Sequence, residues 1–157
     1  MKNADLLVDL YQLVFKDHNT DLNIKRALSP DSDAILAFIK TYFSEGWVSE
    51  AKASLYKTHP TCFIAVDQKK VVGFACYDAT AKGFFGPMGV HSDYRKKGIG
   101  RVLVLKCMEA MRHDGYGYAI IGSVEAHNFH FYQEACQATP IENSTKIYQR
   151  MIHRGNH

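Results

Sequence analysis

The sequence predicts a mixed α/β fold, with a central sheet and helices on both of its faces. Three observations carry that expectation. A strand-like run from Gly83 to Val90, a long amphipathic run from Gly98 to Met111 and an almost wholly apolar run from Tyr118 to Val124 follow one another. Strand, crossover helix and strand in that order imply a right-handed parallel pair. Upstream, residues 62–77 read as short apolar strands joined by a polar turn, which adds antiparallel partners.

The remaining elements follow in chain order. Leu6, Leu7, Leu10 and Val14 recur at helical spacing, so an extra N-terminal amphipathic helix is expected over about residues 4–16. Residues 16–22 form a polar break, and Asn23 to Leu28 is a candidate first strand. Ser29-Pro30-Asp31 suits a helix start, with Ser29 as cap and proline in the first turn. That helix runs to about Phe43 and stops near Gly46, and a second spans roughly Ser49 to Lys57. Strands are expected from Cys62 to Val66 and Val71 to Tyr77 around the turn Asp67-Gln68-Lys69-Lys70, then from Gly83 to Val90.

The long helix of residues 98–111 ends at His113-Asp114-Gly115, where Gly115 fits the left-handed position beyond a helix C-terminus. Ile99, Leu103, Val104, Cys107, Met108, Ala110 and Met111 fill one half of its circumference. Val102 and Leu105 intrude on the polar half. They predict a second contact, with the C-terminal segment or with another subunit, and so leave a homodimer open. Asn128 to Cys136 reads as a short helix and Ser144 to Ile152 as a last strand.

The totals bound the function. With 157 residues, 46% hydrophobic and 22% charged, the chain suits one globular domain over residues 1–157. A net charge of +3 is too small to make nucleic acid the expected partner. No apolar run approaches a membrane span, and Asp5 and Asp9 within the N-terminal pattern argue against a signal peptide. Four widely spaced cysteines, Cys62, Cys76, Cys107 and Cys136, read as reduced thiols, so a cytoplasmic protein is expected.

Cations concentrate in Arg95-Lys96-Lys97-Gly98-Ile99-Gly100-Arg101, between a strand and a helix start. Unpaired backbone N–H groups and the positive end of a helix dipole favour an anion there. Glycine lets the backbone approach a phosphate without a Cβ in the way. A dinucleotide fingerprint would need a third glycine where Leu103 stands. A Walker A loop would need Gly-Lys-Ser or Gly-Lys-Thr, which is absent.

From about residue 23 to residue 150 the chain resembles the GNAT (Gcn5-related) N-acetyltransferases. The stretch from Met88 to Arg101 is similar to the family's motif A, and Phe131-Tyr132-Gln133-Glu134 resembles its Phe/Leu-Tyr-Glu-Lys stretch. The resemblance implies acetyl-CoA as co-substrate and a primary amine of a small molecule or peptide as acceptor. It implies that the strand ending at Val90 diverges from the strand of residues 118–124, opening a notch for the pantetheine arm. Met88, Gly89 and Val90 would hold the acetyl group and pantetheine. Backbone amides of residues 96–101, with Arg95 beside them, would hold the pyrophosphate: Lys96, Lys97, Gly98, Ile99, Gly100 and Arg101.

Tyr132 is the implied proton donor to the leaving thiolate; a phenol near pKa 10 lies a little above a thiol near about 8.5. Two departures follow. Many family members carry a Glu on the strand that here reads Phe84-Phe85-Gly86, and the asparagine usually found seven residues before the tyrosine is Glu125. Glu125 and His127 are therefore candidate bases. Tyr42, Glu45 and Trp47 are candidate acceptor contacts, where the first two helices meet. His127, His130 and Glu134 do not make a metal site, since eight histidines make accidental neighbours easy and zinc usually needs a further ligand. The same departures motivate a second reading, a non-catalytic sensor that binds CoA or acyl-CoA.

Overall fold

The computed structural model describes residues 2–15 and 20–152, so residues 16–19 of the expected polar break lie outside the described residues. In chain order the elements are β1 (Ala4–Asp9), β2 (Asn23–Arg26), α1 (Ser32–Tyr42), α2 (Glu45–Leu55), β3 (Cys62–Asp67), β4 (Lys70–Tyr77), β5 (Phe84–Val90), α3 (Ile99–His113), β6 (Tyr118–Val124), α4 (Phe129–Cys136) and β7 (Thr139–Pro140). They build one seven-stranded mixed sheet in the order β2-β3-β4-β5-β6-β1-β7. Among the described strands only β5 and β6 run parallel, as the intervening α3 crossover requires.

The sheet separates two cores because side chains alternate along its strands. Phe63, Ala65, Ala75 and Tyr77 join Leu103, Val104, Met108 and Met111 of α3 on one face. Cys62, Ile64, Phe74 and Cys76 join Ile35 and Ile39 of α1 and Ala51 and Leu55 of α2 on the other. Val102 and Leu105 are both buried, and Leu105 belongs to the α3-side core, which also holds Leu10 and Leu13. Arg112 fastens that N-terminal segment by donating to the Leu10 and Leu13 carbonyls at 3.4 and 3.1 Å. Leu105 thus has a place in a core within the chain.

Local chemistry explains the boundaries. Gln68 and Lys69, with φ of 49° and 64°, make the tight β3–β4 turn between paired Asp67 and Lys70. Ser29–Asp31 forms a 3₁₀ turn ahead of α1 with Leu28 at its cap position, so Ser29 lies inside the turn rather than capping it. The second helix starts earlier than expected, at Glu45, because the Ser44 hydroxyl accepts a hydrogen bond from the Trp47 N–H at 3.2 Å. Gly115, at φ 104°, stops the helical path just past α3.

Two expectations are corrected together. The N-terminal helix over residues 4–16 is a strand from Ala4 to Asp9. Leu6, Val8 and Leu10 are fully buried at a spacing of two, and β6, apolar on both faces, supplies its ladder. Asp5 is satisfied rather than solvated: it accepts the Ser123 N–H on Oδ1 at 2.8 Å, while its own N–H donates to the Ser144 hydroxyl at 2.8 Å. With β1 seated between β6 and β7, the last strand expected at residues 144–152 has no place there. That segment instead carries a 3₁₀ turn from Ile147 to Arg150.

Leu6→Ala is expected to lower the unfolding free energy by about 2–5 kcal/mol, as for other fully buried leucines. Urea titration followed by circular dichroism checks it; a loss below about 0.5 kcal/mol would place β1 outside the cooperative core.

Candidate active site

The site starts from a failure of strand pairing. β5 and β6 are in register only at Phe84↔Ile120 and Phe85↔Ile121. Beyond that point β5 continues on β4 and β6 continues on β1. Gly86 adopts φ 117°, and Pro87 has no N–H to offer a ladder. On the other side Ser123 adopts φ 50° and its N–H goes to Asp5. Both strands therefore leave the shared ladder at the same level.

Alternation then decides which backbone groups face the gap. The His91 N–H donates to the Val72 carbonyl at 2.8 Å, so His91 and, two residues earlier, Gly89 direct their backbone toward β4. Met88 and Val90 alternate with them and turn their N–H and C=O groups into the gap. The Val90 carbonyl accepts there from Arg95 Nε at 3.1 Å. Gly89 is required by a close approach, because a Cβ at this position would overlap the Phe43 ring.

The gap opens into a cavity of about 800 Å³. Met88, Gly122, Ser123, Glu125, His127 and Tyr132 line one part of it. Trp47, Glu50, Thr80, Tyr148 and Met151 line another. Tyr132 stands edge-on to Phe85 and Phe131, and its hydroxyl makes no hydrogen bond to any described residue. Burial, with the Cys136 thiol adding to it, pushes the phenol above its ordinary pKa, so Tyr132 is neutral at physiological pH. Glu125 Oε2 lies 3.3 Å from His127 Nδ1, and both side chains are largely exposed.

Next to the gap, the cationic segment makes the open helix start that its composition suggests. Lys96 (φ 64°) and Gly98 (φ 79°) bend the chain into α3, and no side chain caps the first turn. Arg95, Lys96, Lys97 and Arg101 are exposed, whereas Ile99 anchors the turn in the core. Gly100 borders the gap: a Cβ there would sit 3.5 Å from Met88 Cε and 3.3 Å from Phe131 Cζ.

The three candidate acceptor contacts separate. Trp47 lines the cavity. Tyr42 packs edge-on against His91, and Glu45 lies 3.9 Å from Lys40; neither lines the cavity. Sequence reasoning missed Glu50, Thr80 and Tyr148. Thr80 Oγ1 and the Tyr148 hydroxyl both donate to Glu50 Oε1, at 2.6 and 2.8 Å. Burial, with Glu50 beside it, raises the Tyr148 phenol above its usual value. Trp47 and Glu50, three apart, share one side of α2, which was a usable signal. Nothing local to residues 144–152 told of Tyr148's position.

A sequence model described as the Acetyltransferase (GNAT) family matches residues 30–136. The chain belongs to the GNAT acetyltransferase family. Its fold is shared with solved structures of low identity. A GCN5-related N-acetyltransferase from Sphaerobacter thermophilus is 17% identical, with a TM-score of 0.71 over 89% of this chain and 48% of that one. An Escherichia coli GNAT family N-acetyltransferase in complex with CoA is 19% identical, with a TM-score of 0.51 over 66% of this chain and 63% of that one. An aminoglycoside N-acetyltransferase in complex with CoA is 14% identical, with a TM-score of 0.57 over 77% of this chain and 90% of that one. The chain spans from 20% to about half of the length of the first structures it resembles. No curated protein matches the sequence.

Gly89→Ala is expected to force the Phe43 ring aside and lower stability by about 1–3 kcal/mol, as overpacking does. The thermal midpoint checks this, and Phe43→Leu in the same background is expected to restore part of the loss.

Proposed function

We propose that the chain transfers acetyl from acetyl-CoA to a primary amine of a small molecule or peptide by direct attack. The observation that carries this reading is the parting of β5 from β6, which turns backbone groups of Met88 and Val90 into the gap and opens a cavity lined by Met88 and Tyr132. The pantetheine arm would lie along the free side of β5 like an added strand. Its pyrophosphate would sit on the amides of residues 96–101, with the surrounding cations contributing charge. The CoA complexes among the structural neighbours support that donor, and the aminoglycoside N-acetyltransferase supports an amine acceptor.

The neutral amine attacks the thioester carbonyl and forms the N–C bond. Backbone N–H groups at the gap hold the developing oxyanion. The proton on the attacking nitrogen passes to the Glu125–His127 pair, directly or through water. The C–S bond breaks and the sulfur leaves as a thiolate, toward which Tyr132 donates. Because burial raises that phenol, early transfer to a thiol of pKa near about 8.5 is uphill. Tyr132 therefore stabilises the departing thiolate as a hydrogen-bond donor, and the proton taken up by the Glu125–His127 pair returns to solvent. On this reading the four buried free thiols suit a reducing cytoplasm.

The second reading, a non-catalytic CoA or acyl-CoA sensor, is favoured by one observation: β5 presents Phe84, Phe85 and Gly86 where a carboxylate would serve as base. Thiol release during a screen of primary amines separates the two, since a sensor binds without releasing thiol.

Acetyl-CoA is expected to raise the thermal midpoint of the wild type, and Arg95→Glu or Gly100→Asp to remove that rise; unchanged protection would sink the socket assignment. Tyr132→Phe is expected to lower kcat by about a hundredfold or more while KM for acetyl-CoA changes little. Equal turnover would remove Tyr132 from the chemistry.

A further inference from the structure

The β6 side of the gap carries a bulge. Ala4 pairs with Val124 and Leu6 with Ile121, so Asp5 alone stands opposite both Gly122 and Ser123. Ala119, Ile121 and Val124 belong to the α3-side core, at spacings of two and then three. The extra residue therefore sends both Gly122 and Ser123 to the other face of the sheet, the face that α2 covers. A Cβ on Gly122 would meet the ring of Phe84, whose neighbour Phe85 lies in the α3-side core, which agrees. Trp47 of α2 and Ser123 accordingly line the same cavity.

Ser123 holds this place at a cost. Its φ of 50° is left-handed, a conformation that glycine adopts freely and a residue with a Cβ does not. Gly122 stands one position earlier, yet the left-handed residue is the serine. The buried Asp5 carboxylate keeps it there by accepting the Ser123 N–H on Oδ1 at 2.8 Å. That N–H is spent and gives nothing to the gap. The hydroxyl differs: it makes no hydrogen bond to any described residue, although a hydroxyl can donate one and accept two. Backbone strain at the wall of a cavity, around a hydroxyl with no described partner, points to a partner that comes with substrate.

Counting on from Phe85↔Ile121 brings Gly122 and Ser123 level with Gly86 and Pro87, just before Met88. On the acetyl-transfer reading the thioester lies at this level, and the acceptor would reach its carbonyl carbon from the part of the cavity that Trp47 lines. A neutral primary amine carries two N–H bonds and one lone pair. The lone pair must aim at the carbonyl carbon, and a fixed acceptor for one N–H sets that aim. Tyr132 serves the sulfur and the Glu125–His127 pair takes the proton, which leaves this orienting task to another group.

Resting on the acetyl-transfer reading above, we propose that Ser123 is a further catalytic residue, whose hydroxyl oxygen accepts an N–H of the attacking amine and aims its lone pair at the thioester carbonyl. The serine keeps its own proton throughout, and the amine's proton still passes to the Glu125–His127 pair.

The test uses two CoA conjugates of one shape. In both, the sulfur carries a CH2–C(=O) group, which continues in one as the n-butyl amide and in the other as the n-butyl ester. The amide puts an N–H, and the ester an oxygen, where the attacking nitrogen would stand. Calorimetric titration is expected to show a wild-type preference for the amide of about three- to tenfold, the size of one neutral hydrogen bond. Ser123→Ala and Ser123→Gly are each expected to remove that preference while affinity for CoA itself stays unchanged. Ser123→Gly also takes the Cβ from a left-handed position, so its thermal midpoint is expected to match or exceed that of the wild type. The amide-to-ester ratio is internal to each protein, and a fault in folding would lower both affinities together.

Equal affinity for amide and ester in the wild type overturns the Ser123 contact, as does a preference that survives both substitutions. CoA binding in either case leaves the donor reading standing. Failure of the wild type to bind CoA or either conjugate defeats the donor reading and this assignment together. An amide preference that is lost with the hydroxyl supports Ser123 even where no screened amine is turned over, a result that would defeat the transferase reading alone.

Discussion

The interruption of the β5–β6 ladder is the constraint on which the rest of the site depends. Two parallel strands that stay paired would spend their backbone groups on each other and leave no edge inside the sheet. Here pairing ends after Phe85 and Ile121, and each strand has another partner to keep it in place. Gly86 and Pro87 supply a path that cannot rejoin the ladder on one side. On the other, the Asp5 carboxylate takes the Ser123 N–H. Gly122 completes the junction, since the Phe84 ring lies 3.2 Å from where its Cβ would stand. The sheet stays continuous through β4 and β1 while an edge opens between them.

The N-terminal strand has consequences at both ends of the chain. By filling the place between β6 and β7 it supplies Asp5 to the gap, and it also excludes residues 144–152 from that place. The Asp5 N–H holds the Ser144 hydroxyl, so the departing segment is fixed at its root. Thr145, Tyr148, Gln149 and Met151 then line the cavity, and Tyr148 reaches Glu50. Which segment takes the place beside β6 thus decides which segment forms the wall of the cavity.

What was legible in the sequence is what local periodicity and local chemistry decide. The β3–β4 turn, the crossover from β5 through α3 to β6, and the open helix start at Gly98 each rest on residues within a few positions of one another. The run from Ala4 to Val14 fits a helix by spacing, and only the unfilled apolar edge of β6 decides that its first part is a strand. Residues 144–152 failed for the complementary reason, since an apolar stretch pairs only where a partner remains. At the site, Tyr132, Met88 and Trp47 were within reach of motif and helix spacing. The Thr80–Glu50–Tyr148 cluster joins residues 30 and 98 positions apart, a separation that no local pattern encodes. Tyr42 and Glu45 fall outside the cavity because Phe43, just past the end of α1, turns its ring inward over Gly89 and leaves its neighbours on the surface.

The distribution of charge follows from the same geometry. Arg95, Lys96, Lys97 and Arg101 cluster where α3 begins, so cationic side chains and the positive end of the helix dipole reinforce one another. Glu50 and Glu125 line the cavity that opens from the gap. The net charge of +3 is the balance of 19 Lys and Arg against 16 Asp and Glu over the whole chain, and four of those cations gather at the helix start. On the proposed reading an anionic donor is held where those cations and the helix dipole act together, beside the gap into which Met88 turns its backbone and which opens on Tyr132.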